Sequence, residues 1–331
     1  KKSVTLDLRA PAGARIFKGL VREADVMVES FDPGVLACMG LSYDALSENS
    51  PGLVMASITQ FGQDGPYRDY KANELIQYAL SGLMYPTGLP EREPVQSGGY
   101  LPQYKAGLVG AIGVLAALQW RDINDLGQHL DISIHEVAAN FLEITPPLYS
   151  YQGRVRGRTG STLSPPTPLC DLYDCKEGHI IVTVLTQQQW ASMCEMMGHP
   201  EIIDDARFIN PRTMTDEAKN YLWEMMGSWF RERAVDEAFE LCQLLRVPSA
   251  KVMNARDLLD DPHLAERGFF QSLNHPYTGP LNYPGPGFML SDASDGSAPA
   301  PLLGQHNREV YRQRLGYSSH ELARLGAVGV I

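Results

Sequence analysis

The chain has 331 residues, of which 44% are hydrophobic and 20% are charged, and its formal net charge is -11. This length allows a large hydrophobic core, arranged as one big domain or two smaller ones. The negative charge argues against general binding to nucleic acid or to an anionic membrane, so an anionic ligand would need a local basic pocket.

Strand and helix patterns alternate through the first 60 residues. Residues 4–8 predict a strand, and residues 12–23 have the apolar spacing of a helix with one buried face. Two further strands are predicted at 25–29 and 53–59, and Ser42 can cap a short helix between them. Units of this kind predict parallel strands in a Rossmann-like layer. No GxGxxG motif follows any of these strands, so a dinucleotide site has no support.

A turn-rich loop at residues 61–66 follows the last of these strands. In open α/β sheets, ligands usually bind beyond the carboxyl ends of the strands. The loop is therefore a candidate ligand site, and a tight turn with no ligand role is an equally good interpretation.

The rest of the chain contains a second group of elements. Residues 105–118 predict a helix rich in Gly and Ala, which permits close packing. Between about 170 and 275, a strand and strongly amphipathic helices predict a smaller α+β domain. The other predicted elements are helices at 74–81, 136–144, 188–197, 217–230 and 235–245 and strands at 128–134 and 180–185.

The five cysteines are scattered, with no CxxC pair, which disfavours a disulfide framework and a zinc site. The histidines show no metal-ligand spacing, so no metal is predicted. No apolar run approaches about 20 residues and no signal peptide is visible, so neither membrane association nor export is predicted. A reducing cytoplasm is the expected location. The chain begins at Lys1 with a strand pattern directly after it, so we expect further sequence upstream.

General catalytic motifs do not assign a chemistry. There is no GxSxG elbow and no HExxH motif. Arg154, Arg156 and Arg158 could form a phosphate patch, although a solvated linker is the more ordinary interpretation.

Seven segments in order resemble the class III coenzyme A-transferases, the family of formyl-CoA and carnitine CoA-transferases. Residues 2–8 resemble the pattern KRSVxLDL, 29–34 resemble ENFRPG, 61–67 resemble FGQxGPY, 81–88 resemble SGLMxxTG, and 127–133 resemble GQxVDVS. In addition, residues 106–118 match the helix that follows the SGLMxxTG segment in the family, and residues 301–306 match the family's C-terminal tail.

The resemblance implies a Rossmann-like large domain built from both chain ends, with a smaller α+β domain inserted. We therefore expect a large α/β domain over residues 1–168, the small domain over 169–280, and a return to the large domain over 281–331. It also implies two subunits interlocked as a dimer, acting on acyl-CoA and carboxylic acid substrates.

The implied mechanism is covalent. An aspartate of the family attacks the thioester, and CoA then passes through an enzyme-bound thioester, which divides one difficult transfer into easier steps. The position of that aspartate falls on Gln103, just ahead of the helix at 105–118. A carboxamide is a far weaker nucleophile, but it could hydrogen-bond a thioester carbonyl.

The resemblance also indicates the coenzyme A contacts. Phe31 matches a residue on the adenine side and Lys71 matches a CoA-binding lysine, whereas Asp32 and Cys38 stand where arginines are usual. Asn73 is a further candidate contact, and it occupies the position where the racemase branch of the superfamily has a histidine.

Glu74 matches an acid that the family has near the site, and charge pairing at a helix N-terminus is an equally good interpretation. Three functions remain open: a CoA-transferase with a non-standard route, a non-catalytic subunit that pairs with an aspartate-bearing paralogue, and a lyase or hydrolase of acyl-CoA that uses groups such as Glu74. The oligomer could accordingly be a homodimer or a heterodimer.

Overall fold

The fold is given by a computed structural model that describes residues 1–162, 166–208, 210, 213–292 and 297–331. Its helices are α1 (Pro11–Arg22), α2 (Val35–Cys38), α3 (Tyr43–Ser47), α4 (Glu74–Leu80), α5 (Leu101–Asn124), α6 (Ile134–Asn140), α7 (Thr145–Gln152), α8 (Gln187–Met197), α9 (Asp216–Arg231), α10 (Val235–Leu244), α11 (Ala255–Leu259), α12 (Pro262–Glu266) and α13 (Ser319–Ala327), with a 3-10 turn at Pro200–Ile202 and a π-helical turn at Glu309–Arg314. Its strands are β1 (Val26–Glu29), β2 (Val54–Thr59), β3 (His129–Ser133), β4 (Cys170–Asp174), β5 (His179–Thr183), β6 (Ser249–Lys251), β7 (Phe270–His275) and β8 (Gly279–Pro284).

A parallel three-stranded sheet, in the order β1-β2-β3, organises the first half of the chain. Val26 is in register with Val54, and Met55 is in register with His129. The central strand β2 is almost wholly buried, including its polar residues Ser57 and Thr59, as expected for a strand covered on both sides. The predicted parallel layer is therefore confirmed, and the carboxyl ends of its strands share one edge.

The prediction of a strand at residues 4–8 is wrong. This segment joins none of the sheets in the described part of the chain, because its hydrogen bonds go to the C-terminal segment instead. The Thr5 N–H donates to the Asn307 side chain at 2.9 Å, and the Asp7 N–H donates to the Val330 carbonyl at 2.8 Å. The buried Tyr311 hydroxyl donates to the Thr5 carbonyl at 2.7 Å. The two ends of the described chain thus pack together.

Helix α5 is longer than predicted, since it spans 24 residues from Leu101 to Asn124 and ends where Asp125 takes a φ of 57°. Its sheet-facing side is made of small residues. A Cβ on Gly113 would lie only 2.7 Å from Leu130 Cδ2, and one on Gly110 would lie 3.2 Å from Ile58 Cδ1. A side chain at Gly113 would therefore displace the end of Leu130, so glycine at this position favours the close approach of the helix to the sheet that the Gly- and Ala-rich pattern indicated.

The same helix bears on the expectation that no segment crosses a membrane. Helix α5 contains a stretch long and apolar enough to cross a membrane by length and composition alone, a test that core helices also pass. The helix predicted at residues 105–118 was too short to show this property, because the helix in the structure extends beyond the apolar stretch at both ends.

A separate hydrophobic core involves residues 169–247. There the antiparallel sheet β4-β5-β6 packs against α8, α9 and α10, and Ile180, Met193, Leu222 and Phe230 are fully buried. This matches the predicted α+β character of the region. The domain boundaries at 168 and 280 stay predictions.

Candidate functional site

A cleft of about 460 Å³ lies at the carboxyl edge of the parallel sheet. Glu29 at the end of β1, Thr59 at the end of β2 and Ile134 directly after β3 all line it. This is the edge where parallel α/β sheets place their ligands. Of the loop at 61–66, none of the residues lines the cleft, but Gln60 before it and the residues Arg68, Tyr70, Lys71 and Ala72 after it do.

The site residues indicated by the sequence lie in two adjoining hollows. Phe31, Lys71 and Gln103 line the cleft, and Asn73 and Glu74 line a neighbouring hollow of about 430 Å³. Gln103 lines both. The structure therefore brings all five together around Gln103, while their roles remain predictions.

Gln103 is placed by the start of helix α5. Pro102 occupies the first turn of that helix, where a residue without an N–H is tolerated, and Tyr100 provides no side-chain cap. The exposed Gln103 side chain thus stands at the positive end of a long helix whose first N–H groups lack intrahelical partners.

Glu74 faces that same helix start from the beginning of α4. Its side chain is buried, with 8% exposure, and burial raises the pKa of its carboxyl. The backbone N–H groups of Gln103 and Leu101 oppose this, because they favour the charged form and lower the pKa. The oxygen Oε2 is buried and has no hydrogen-bond partner among the residues that the structure describes. Glu74 is therefore a charge partner of the α5 N-terminus that retains its proton more readily than an exposed glutamate.

The stability of the protein should depend on pH through Glu74. Because the pKa of Glu74 is raised on folding, its contribution is present at acidic pH and lost as the pH rises through the folded-state pKa. In urea unfolding between about pH 4 and pH 7, the Glu74→Gln variant should gain in free energy of unfolding relative to the wild type as the pH rises. Glu136→Gln, at an exposed acid in the first turn of α6, is the control. A difference between Glu74→Gln and wild type that does not change with pH would contradict the assignment.

Lys71 is paired with Asp32 across the cleft. Its Nζ lies 2.5 Å from Asp32 Oδ2, and both side chains are exposed. Exposed ion pairs contribute little to stability, so the pair can open at small cost. Asp32 therefore not only stands where an arginine is usual but also neutralises Lys71, the lysine that the resemblance assigns to coenzyme A.

Asn73 and Phe31 are held by backbone contacts. The Asn73 side chain caps α4 by accepting from the Ile76 N–H at 3.1 Å. It therefore has a structural role in addition to its predicted contact with coenzyme A. The Phe31 N–H donates to Glu29 Oε2 at 2.8 Å, which fixes the turn after β1 and leaves the Phe31 ring exposed in the cleft.

Sequence reasoning missed two residues that line the cleft, Arg68 and Tyr70. Both follow the Gly65-Pro66-Tyr67 turn and flank Asp69, three and one positions ahead of Lys71. Their closeness to Lys71 in sequence was the available signal. Within the described residues there is no group of three His, Cys, Asp or Glu side chains that could hold a metal ion.

The family model described as CoA-transferase family III matches residues 1–307. The succinyl-CoA–D-citramalate CoA-transferase of Chloroflexus aurantiacus is 32% identical over 333 residues, which cover 100% of this chain and 82% of that protein. The beta subunit of succinyl-CoA–L-malate CoA-transferase from the same organism is 31% identical, with 100% and 82% covered. A solved CaiB/BaiF family protein from Brucella suis superposes with a TM-score of 0.79 at 26% identity, covering 95% of this chain and 81% of that one.

An α/β chain with its cleft at the carboxyl edge of a parallel sheet, matched along most of its length in this way, is a CoA-transferase in class. The chain belongs to CoA-transferase family III. The predicted resemblance and the transferase activity that it implies are both confirmed.

Proposed function

We propose that this chain exchanges coenzyme A between an acyl-CoA and a carboxylic acid, with the acyl-CoA bound along the cleft and its thioester at Gln103. The observation that supports this proposal is the junction at Gln103. Two of the three residues assigned to coenzyme A, Phe31 and Lys71, line the hollow on one side of it. The third, Asn73, lines the hollow on the other side together with the buried acid Glu74.

In this proposal the two hollows bind different parts of the substrates. The cleft with its lysine suits the anionic nucleotide end of coenzyme A. The smaller hollow, at the positive end of α5, suits the reacting carbonyl and the carboxylate of the acid substrate. The Gln103 amide donates a hydrogen bond to the thioester oxygen and takes no covalent part, since a carboxamide lacks the charge of a carboxylate nucleophile.

The working unit is proposed to be an interlocked dimer in the cytoplasm. All five cysteines are free thiols, which is compatible with a reducing compartment. The outer face of α5 carries exposed Leu108, Ile112 and Leu115, which an isolated subunit would leave in water.

A second candidate function is that of a partner subunit in a hetero-oligomeric CoA-transferase. Gln103 favours it, because a chain without the aspartate could bind acyl-CoA while a paralogue supplies the nucleophile. The relative from Chloroflexus aurantiacus that is named a beta subunit shows that heteromeric enzymes occur among the similar proteins.

Lys71→Ala should weaken coenzyme A binding about tenfold, which corresponds to about 1.4 kcal/mol. The loss is smaller than that of a free charged hydrogen bond, because Lys71 must first leave Asp32. Isothermal titration calorimetry with free coenzyme A measures the change, and Lys176→Ala, at an exposed lysine that does not line the cleft, is the matched control.

The same titrations, with a mass-spectrometric assay of CoA exchange from succinyl-CoA to isotopically labelled acids, test the proposed function. A wild-type protein that binds no coenzyme A would contradict it. Binding without exchange, followed by exchange once an aspartate-bearing paralogue is added, would favour the partner subunit.

A further inference from the structure

Arg68 lines the cleft against the turn that follows β1. A Cβ placed on Gly34 would lie 3.1 Å from Arg68 Nη2, so the guanidinium rests on the backbone of that turn. Gly34 also has a φ of 87°, a conformation that favours glycine. The turn therefore leaves room for the arginine, and it also presents Phe31 to the cleft.

Among the described residues, the Arg68 guanidinium has no close acidic partner. The nearest ion pair is with Asp69, whose Oδ1 is 3.9 Å from Arg68 Nε, and the Asp69 side chain is largely exposed. Nε is itself buried and makes no hydrogen bond within the part of the chain that the structure describes, although the side chain as a whole is 39% exposed. A buried N–H without an acceptor is costly, so the guanidinium is poorly satisfied by the protein, and its exposed part can donate to a ligand in the cleft.

Of the charged residues that line the cleft, Arg68 is the cation that an incoming anion can pair with most readily. Arg68 and Lys71 are the basic residues of its lining and Glu29 and Asp32 are the acidic ones. Asp32 holds Lys71 at 2.5 Å, and Glu29 accepts from the Phe31 N–H. An incoming anion must compete with Asp32 for Lys71, whereas it meets Arg68 without such a competitor.

We propose that Arg68 is the principal ligand for a phosphate group at the nucleotide end of coenzyme A, in place of the cations missing at Asp32 and Cys38. This inference rests on the proposed function. The planar guanidinium can donate two parallel hydrogen bonds to a phosphate, which an ammonium group cannot do. Its place on the turn that carries Phe31 would put the phosphate on the same side of the cleft as the base, and the charge of that phosphate would then draw Lys71 away from Asp32.

The test is calorimetric titration of the full chain with coenzyme A and with 3′-dephospho-CoA. Arg68→Gln should bind coenzyme A at least tenfold more weakly than the wild type, and Arg68→Lys should fall between them because it keeps the charge but loses the paired hydrogen bonds. Arg15→Gln, at an exposed arginine on α1 outside the cleft lining, should bind as the wild type does. Circular dichroism and thermal unfolding establish that each variant is folded.

Comparison of coenzyme A with 3′-dephospho-CoA identifies which phosphate group Arg68 contacts. A loss confined to coenzyme A supports contact with the 3′-phosphate, and an equal loss with both ligands supports contact with the diphosphate. If the wild type binds coenzyme A and folded Arg68→Gln and Arg68→Lys bind it equally well, the inference is overturned while the proposed function stands. If the wild type binds neither ligand, the proposed function is overturned and the inference with it.

Discussion

Gln103→Asp is expected to form a covalent adduct with acyl-CoA that the wild type does not form. The new carboxylate would stand in the first turn of α5, where the unpaired N–H groups stabilise negative charge. It would also line both hollows, so a thioester bound along the cleft would be within its reach. The carboxamide of the wild type shares the position but lacks the charge that nucleophilic attack requires.

The adduct is measured by trapping with hydroxylamine or borohydride after incubation with succinyl-CoA, followed by mass mapping of the peptide that contains residue 103. Gln96→Asp is the matched control. Gln96 lines the smaller hollow but lies outside the first turn of α5, so a carboxylate there should remain unmodified.

The possible results separate the candidate functions. An adduct on Gln103 of the wild type would contradict the assignment of this position. Exchange by the wild type without any adduct, and with no gain from Gln103→Asp, would favour a non-covalent route. Absence of exchange in both proteins until an aspartate-bearing paralogue is added would favour the partner subunit.

Ile112→Asp is expected to convert a dimer into monomers. The side chains of Leu108, Ile112 and Leu115 are 65%, 68% and 66% exposed and fall on one face of α5 at helical spacing. A charge in the middle of an apolar interface would be buried without a partner, which costs far more than the lost contact itself.

Multi-angle light scattering and analytical ultracentrifugation give the mass of each species. Leu244→Asp, at a residue of α10 that is 77% exposed, introduces the same charge away from this face and should leave the dimer intact. A wild-type protein that is a stable monomer would contradict the proposed assembly, and so would an Ile112→Asp variant that remains a dimer.

Elements with strong local signals were predictable from the sequence. The cap at Ser42 is present as its residue type indicates, with the side chain accepting from the Ala45 N–H. Strand β2 and helix α10 lie within a residue or so of their expected bounds because their apolar periodicity extends over the whole element.

Features that depend on distant parts of the chain were not predictable. Residues 4–8 have the composition of a strand, but their hydrogen-bond partners lie about 300 positions away, as for Thr5 and Asn307 with a separation of 302. The burial of Glu74 against the start of α5 arises from helix packing, which a pattern within α4 does not encode. Arg68 lies in an irregular segment, where no periodicity indicates which side chain faces the cleft.

The ion pair between Lys71 and Asp32 has a consequence for how fast a ligand arrives. With that pair closed, the cleft offers little long-range attraction, and the chain as a whole has a net charge of -11. Coenzyme A is itself anionic, so its diffusional approach is opposed by the field of the protein, and capture begins only at short range. Raising the ionic strength screens that repulsion, and the association rate should therefore increase with salt while the bound complex becomes weaker.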